Sequence, residues 1–251
     1  VQTRDFSKSI SCILEKGKRS REQEEELVTE FVISLISECC GFEFEYPQTE
    51  ESANHIEIMA KDGWADLMSE KTDFIASSTQ HPKLIFPGAF NPVHDGHIAM
   101  SKLAEKETNQ KTFFEICIQN VDKPPLSYHQ IDRTINQFQN NQNWVLTKAG
   151  KFSDKAKLFP NSTFIIGADT LVRIFDERFY ASRSDMLEQF DIFNDNNINF
   201  LVFGRERSGR FVELKDVTIP EIIKDRFKGF AENIFRDDIS SSDLRATENS
   251  D

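Results

Sequence analysis

The sequence predicts an α/β chain: a doubly wound, mostly parallel sheet of five to six strands behind an N-terminal helical extension. Two observations carry this. From Lys83 onward, short and nearly continuous apolar runs recur, each followed at once by a polar or glycine-containing loop. Helix-length stretches lie between several of them. Runs without polar alternation belong to strands covered on both faces, and alternation with helices is the pattern of parallel crossovers.

The elements follow in order. "SREQEEELVTEFVISLISECCGF" opens with an acidic first turn and then spaces Leu27, Phe31, Leu35 and Cys39 at steps of four. This predicts an amphipathic helix that ends at Gly41. The segment from "EFEYPQTEES" to "SSTQHPK" is polar with short apolar interruptions, which places a boundary near residue 80. Residues 1–80 are thus the N-terminal helical extension, and 81–251 form the second domain. In the second domain the strand runs are "LIF", "FFEICI", "WVLT", "TFII" and "NFLVF", with "IAMSKLAEKE", "SYHQIDRTINQF" and "SRSDMLEQFDIF" as helices between them. In such a sheet, ligands bind at the carboxyl ends of the strands.

Composition narrows the function classes. A chain of 251 residues with 38% hydrophobic and 29% charged residues can bury a core and is not disordered in character. The net charge of −12, with Lys and Arg scattered, argues against nucleic acid and anionic membranes as partners but leaves a small anionic ligand open. No apolar run reaches the roughly 18 residues of a membrane span, and "VQTRDFSKSI" lacks signal-peptide features. Because the chain begins on valine, it can be a fragment of a longer one. The four cysteines lack metal-ligand spacing, so reduced thiols and a cytoplasmic location are expected.

The densest chemistry lies in "LIFPGAFNPVHDGH", residues 84–97. If "LIF" is the first strand, "PGAFNPVHDGH" is its strand-to-helix loop. Gly88 then admits a ligand to the backbone, Pro87 and Pro92 stiffen the loop, and the helix start offers amides to a phosphate. His94 and His97 stand within a turn of that end, where an imidazole can donate to a phosphoryl oxygen and a protonated one adds charge. Transfer of a nucleotidyl group has this demand, because charge builds on oxygens of the attacked phosphorus and on the leaving pyrophosphate.

The pattern G-x-F-x-P-x-H-x-G-H resembles the signature of the HIGH-type nucleotidyltransferase superfamily, whose loop holds the triphosphate of ATP or CTP. "FRDDISSSDLR", residues 235–245, resembles its second motif, I-S-S-T-x-x-R, with Ser242 where threonine is usual. "NVDKPPLS" and "FPNSTFIIGADTLVRI" are similar to segments of the mononucleotide adenylyltransferases. The resemblance covers residues 83–246 and implies a Rossmann-like domain with His94, His97, Lys123 and Arg245 at the reacting phosphates. It implies nucleotide contacts from Gly88, Ala89, Phe90, Gly167, Asp169, Arg205, Ser240, Ser241 and Ser242. The nearest branch is the nicotinamide or nicotinate mononucleotide adenylyltransferases. Expected partners are ATP and a small phosphorylated acceptor, with Mg2+ held mainly by the ATP phosphates and no metal site of the protein's own. The alternatives are a cytidylyl or phosphopantetheine adenylyl transferase, or a non-catalytic nucleotide-binding scaffold. "KGKRSREQEEELVTEFVISLISECCGF" resembles the tail of a CinA-like domain; it implies no amidohydrolase activity here and a packing or homo-oligomerisation role for the N-terminal helix.

Overall fold

The computed structural model describes residues 1–119, 124–139, 141–207 and 210–236. Its contacts divide the chain into two units: Val1–Lys71 with Leu126–Arg133, and Thr72–Pro125 with Thr134–Asp251.

In the first unit, β1 (Phe6–Cys12) pairs antiparallel with β2 (Ala53–Met59), from Phe6↔Met59 to Cys12↔Ala53. Between them runs α1 (Arg21–Cys40), which starts on a Ser20/Gln23 capping box and stops at Gly41, whose φ of 74° is left-handed. A short helix, α2 (Trp64–Met68), follows. Trp64 and Leu67 are buried, and Tyr128 ties in by donating its hydroxyl to the Arg4 carbonyl at 2.8 Å. The extension is therefore not purely helical as the sequence suggests. The period-two alternation of "HIEIM" is a strand signal shorter than the helical stretch beside it.

In the second unit, β3 (Phe74–Ala76), β4 (Leu84–Pro87), α3 (Asp95–Thr108), β5 (Thr112–Cys117), α4 (Tyr128–Ile135), β6 (Asn143–Thr147) and α5 (Phe152–Leu158) come first, although most of α4 belongs with the first unit. Next are β7 (Thr163–Gly167), α6 (Ala168–Ile174), α7 (Arg183–Asp195), β8 (Asn199–Phe203), the hairpin β9 (Arg205–Arg207) and β10 (Arg210–Val212), and β11 (Phe227–Phe230). A seven-stranded sheet runs β11-β8-β7-β4-β5-β6-β3. All its pairs are parallel except β3 with β6. The five apolar runs are its five inner strands. The two edges, β3 and β11, exceed the predicted count because "FIA" is three residues long and "FKGF" leaves Lys228 and Gly229 exposed. The pairing of β3 also moves the division of the chain from residue 80 back to Lys71/Thr72.

Chain order reverses beside β4: the path moves out through β5 and β6, then returns to β7 on the other side. β4 pairs with β5 over four positions, as far as Pro87↔Glu115, but with β7 only at Leu84↔Thr163 and Ile85↔Phe164. The ladder on the β7 side thus stops short of the strand end, and a crevice opens between the carboxyl ends of β4 and β7. Phenylalanines fill the layers that support it; Phe113, Phe164, Phe190 and Phe200 are all nearly or fully buried. No helix among the described residues is long and apolar enough to cross a membrane.

Candidate active site

The loop leaving β4 turns on aromatic packing. Phe90 is 2% exposed and its backbone sits at φ 45°, a left-handed value uncommon for a bulky residue. Its ring meets Phe86, Phe114 and Phe138 edge to face, with centroids 5.3–5.7 Å apart. Gln137 fixes the loop from outside, donating Nε2 to the Phe90 carbonyl at 3.0 Å and accepting the Val93 N–H on Oε1 at 2.9 Å. Nothing local in "NQFQNNQNW" marks that residue as part of a site; its sequence signature is only that of a loop.

This packing gives two of the expected site residues a structural role. The Gly88 amide donates to the Glu115 carbonyl at 3.0 Å, and a Cβ at Gly88 would lie 2.6 Å from the Phe90 ring. The folded-back Phe90 by itself therefore requires glycine at this position. The Phe90 side chain is buried among phenylalanines and shapes the loop. Ala89, between them, is exposed.

His94 is the N-cap of α3, and the helix starts at Asp95. The His94 N–H donates to Nδ1 of His97 at 3.3 Å, and the two rings lie 3.7 Å apart between centroids. With Nδ1 accepting, the proton of neutral His97 sits on Nε2. Burial first, then the neighbouring His94 and Arg205, push His97 down from an ordinary 6.5 to about 3. The resting imidazole is thus a neutral Nε2–H donor at the first turn of a helix, where unpaired amides and the macrodipole favour an anion.

The pH consequence has a definite sign. Below 6.5 the unfolded imidazole takes a proton that the folded one resists until about 3. The unfolded state then binds more protons, so stability falls as the pH drops through that window. His97→Gln is expected to flatten this loss between about pH 7 and about pH 4, read as urea midpoints. Parallel profiles for both proteins would contradict the assignment.

Across the crevice, Gly167 ends β7 and caps α6, with open space where a Cβ would project. Asp169, in the first turn of α6, pairs with Arg205 from β9, Oδ2 to Nη1 at 3.4 Å. Arg205 is close enough to lower the His97 pKa, so residues predicted from three separate segments meet at one edge. Lys123, Ser240, Ser241, Ser242 and Arg245 lie outside the described residues. Thr170, next to Asp169, opens onto a cavity of about 270 Å³ that Lys151, Phe152, Arg173, Phe179 and Tyr180 also line. Sequence reading missed this cavity, whose walls come from three separate segments.

A doubly wound sheet with paired histidines at a helix start, set at the point where strand order reverses, defines a nucleotidyltransferase-like domain. The chain belongs to the cytidylyltransferase-like family, which it matches over residues 85–247. Two solved structures of Plasmodium falciparum nicotinic acid mononucleotide adenylyltransferase are similar to it. One is complexed with NaAD and the other with APC, with TM-scores of 0.37 and 0.38. Each is 17% identical, over 66% of this chain and 83% of the other. A search of curated proteins finds no match.

Proposed function

We propose that the chain is an adenylyltransferase that moves AMP from ATP to nicotinamide or nicotinate mononucleotide and releases pyrophosphate. The observation that carries this reading is the His94–His97 pair at the α3 start, set across the crevice from Asp169 and Arg205. The acceptor's 5′-phosphate oxygen attacks the α-phosphorus in line, a P–O bond forms, and the bond to the bridging oxygen breaks as pyrophosphate departs. No covalent enzyme intermediate is needed. Orientation of two anions and stabilisation of spreading charge supply the rate.

His97 gives a hydrogen bond from Nε2 without holding the product by a permanent charge. Arg205 offers its guanidinium, and Asp169 keeps that group oriented until phosphate competes for it. Magnesium enters with the nucleotide as part of the substrate. The cavity beside α6 has cations at Lys151 and Arg173 and aromatic walls, and no acidic side chain lines it. That chemistry suits a phosphorylated aromatic acceptor.

Incubation with ATP, magnesium and separate acceptors, read by product mass and pyrophosphate release, tests the assignment. The acceptors are the two mononucleotides, phosphopantetheine, and choline phosphate with CTP. An adenylated mononucleotide is expected. Transfer to another acceptor names a different enzyme of the superfamily, and ATP binding without any pyrophosphate supports the scaffold reading instead.

A further inference from the structure

One ion pair is buried beneath the site, and the chemistry above does not use it. Glu115, on the inner strand β5, is 1% exposed and Lys155, on α5, is 4% exposed. Lys155 Nζ donates to Glu115 Oε1 at 2.7 Å and Oε2 at 2.8 Å, and to the Ala149 carbonyl at 2.6 Å. Thr147, fully buried at the end of β6, donates its hydroxyl to Glu115 Oε1 at 2.5 Å. The same hydroxyl oxygen accepts the Ala149 N–H at 3.3 Å. Every donor and acceptor of the pair is thereby engaged.

Two features set this network apart from ordinary core packing. An apolar trio of similar volume would stabilise a core at least as well, so a buried ion pair is weak evidence for stability and better explained by what it positions. Here the network grips Ala149 on both sides, the Thr147 hydroxyl accepting its N–H and Lys155 donating to its C=O. Ala149 directly precedes Gly150 and Lys151, which line the cavity. Through its main chain the same Glu115 accepts the Gly88 N–H, where the histidine loop leaves the sheet. One residue is thus the fixed point for both loops.

We infer that Glu115, Thr147 and Lys155 are positioning residues that set the cavity wall at 150–151 relative to the histidine loop, and so govern use of the acceptor. The functional half of this inference rests on the adenylyl-transfer reading; the mechanical half does not.

Thr147→Val keeps the shape and removes the hydroxyl, while Thr147→Ser restores it. Glu115→Gln combined with Lys155→Met is a second, charge-free variant that leaves no unpaired buried ion. Thr147→Val is expected to raise hydrogen exchange at residues 148–152 about tenfold, with β5 and β7 unchanged. It is also expected to raise the acceptor KM about tenfold with the ATP KM unaltered, and Thr147→Ser to return both readouts to wild type. The double variant is expected to do the same with its thermal midpoint largely kept. Unchanged exchange at 148–152 in folded Thr147→Val overturns the inference. So does an unmoved acceptor KM in an enzyme that is active. A wild type that releases no pyrophosphate with any acceptor refutes the adenylyl-transfer reading instead, and exchange alone then decides the brace.

Discussion

His97→Ala is expected to lower the turnover of adenylyl transfer about 10²- to 10³-fold, as loss of one preorganised donor to a charged transition state does elsewhere. The argument rests on what the ring is in the resting protein. It is neutral because its pKa lies near 3, and its Nδ1 is occupied by the His94 N–H, which leaves Nε2–H as its one hydrogen-bond donor. Alanine removes that donor and also the Nδ1 acceptor, so part of the helix start is lost as well. The structural share is about 1 kcal/mol, the usual cost of an N-cap interaction. The edge-to-face contacts with Phe86 and Phe90, at 5.7 and 5.1 Å, add to it. Pyrophosphate release at saturating ATP, measured beside the thermal midpoint, separates the two. A folded His97→Ala protein turning over near the wild-type rate would refute the assigned role.

Gly88→Ala is expected to destabilise the protein by about 1–3 kcal/mol, the range for overpacking a filled site. The new methyl group would stand 2.6 Å from Cζ and 2.8 Å from Cε1 of Phe90. That ring is enclosed by three other phenylalanines, and its backbone is already left-handed. The strand end must therefore shift. Phe90→Leu on top of Gly88→Ala is expected to recover part of the loss, because the shorter side chain yields the space. Gly167→Ala is the contrast. Nothing lies within 4 Å of its added carbon, so its stability should stay within about 0.5 kcal/mol of wild type. Its ATP affinity should nonetheless fall if the nucleotide uses that opening. Chemical denaturation and ATP titration of the three variants decide these points, and a fully stable Gly88→Ala would overturn the packing account.

Much of this was legible because it was local. The inner strands are contiguous apolar runs, and the histidines, their glycine and the start of their helix lie within fourteen residues, so pattern and spacing suffice. The hidden parts depend on partners far apart in the chain. Gln137 reaches back more than forty positions to grip the Phe90–Val93 loop. Lys155 meets Glu115 across forty. One trace did exist: a glutamate inside "FFEICI" is a charge in a strand otherwise covered on both faces, and such a charge demands a buried partner. The steric reason for Gly88 was hidden because a glycine looks the same in sequence whether a ligand or a neighbouring ring needs the room. The strands β1 and β2 were missed because a short polar-apolar alternation is a weak signal beside a twenty-residue helix.

The neutrality of the resting imidazole has a further effect on competition. Among the described residues, the guanidinium of Arg205 is already matched by a carboxylate and His97 brings no positive charge of its own. At His97 itself, stray inorganic phosphate or sulfate meets a neutral donor rather than a fixed cation. A long polyanion that spans several weak donors at once gains from each, whereas a single small ion gains from one or two. The neutral His97 by itself therefore favours a run of linked phosphates over simple salts.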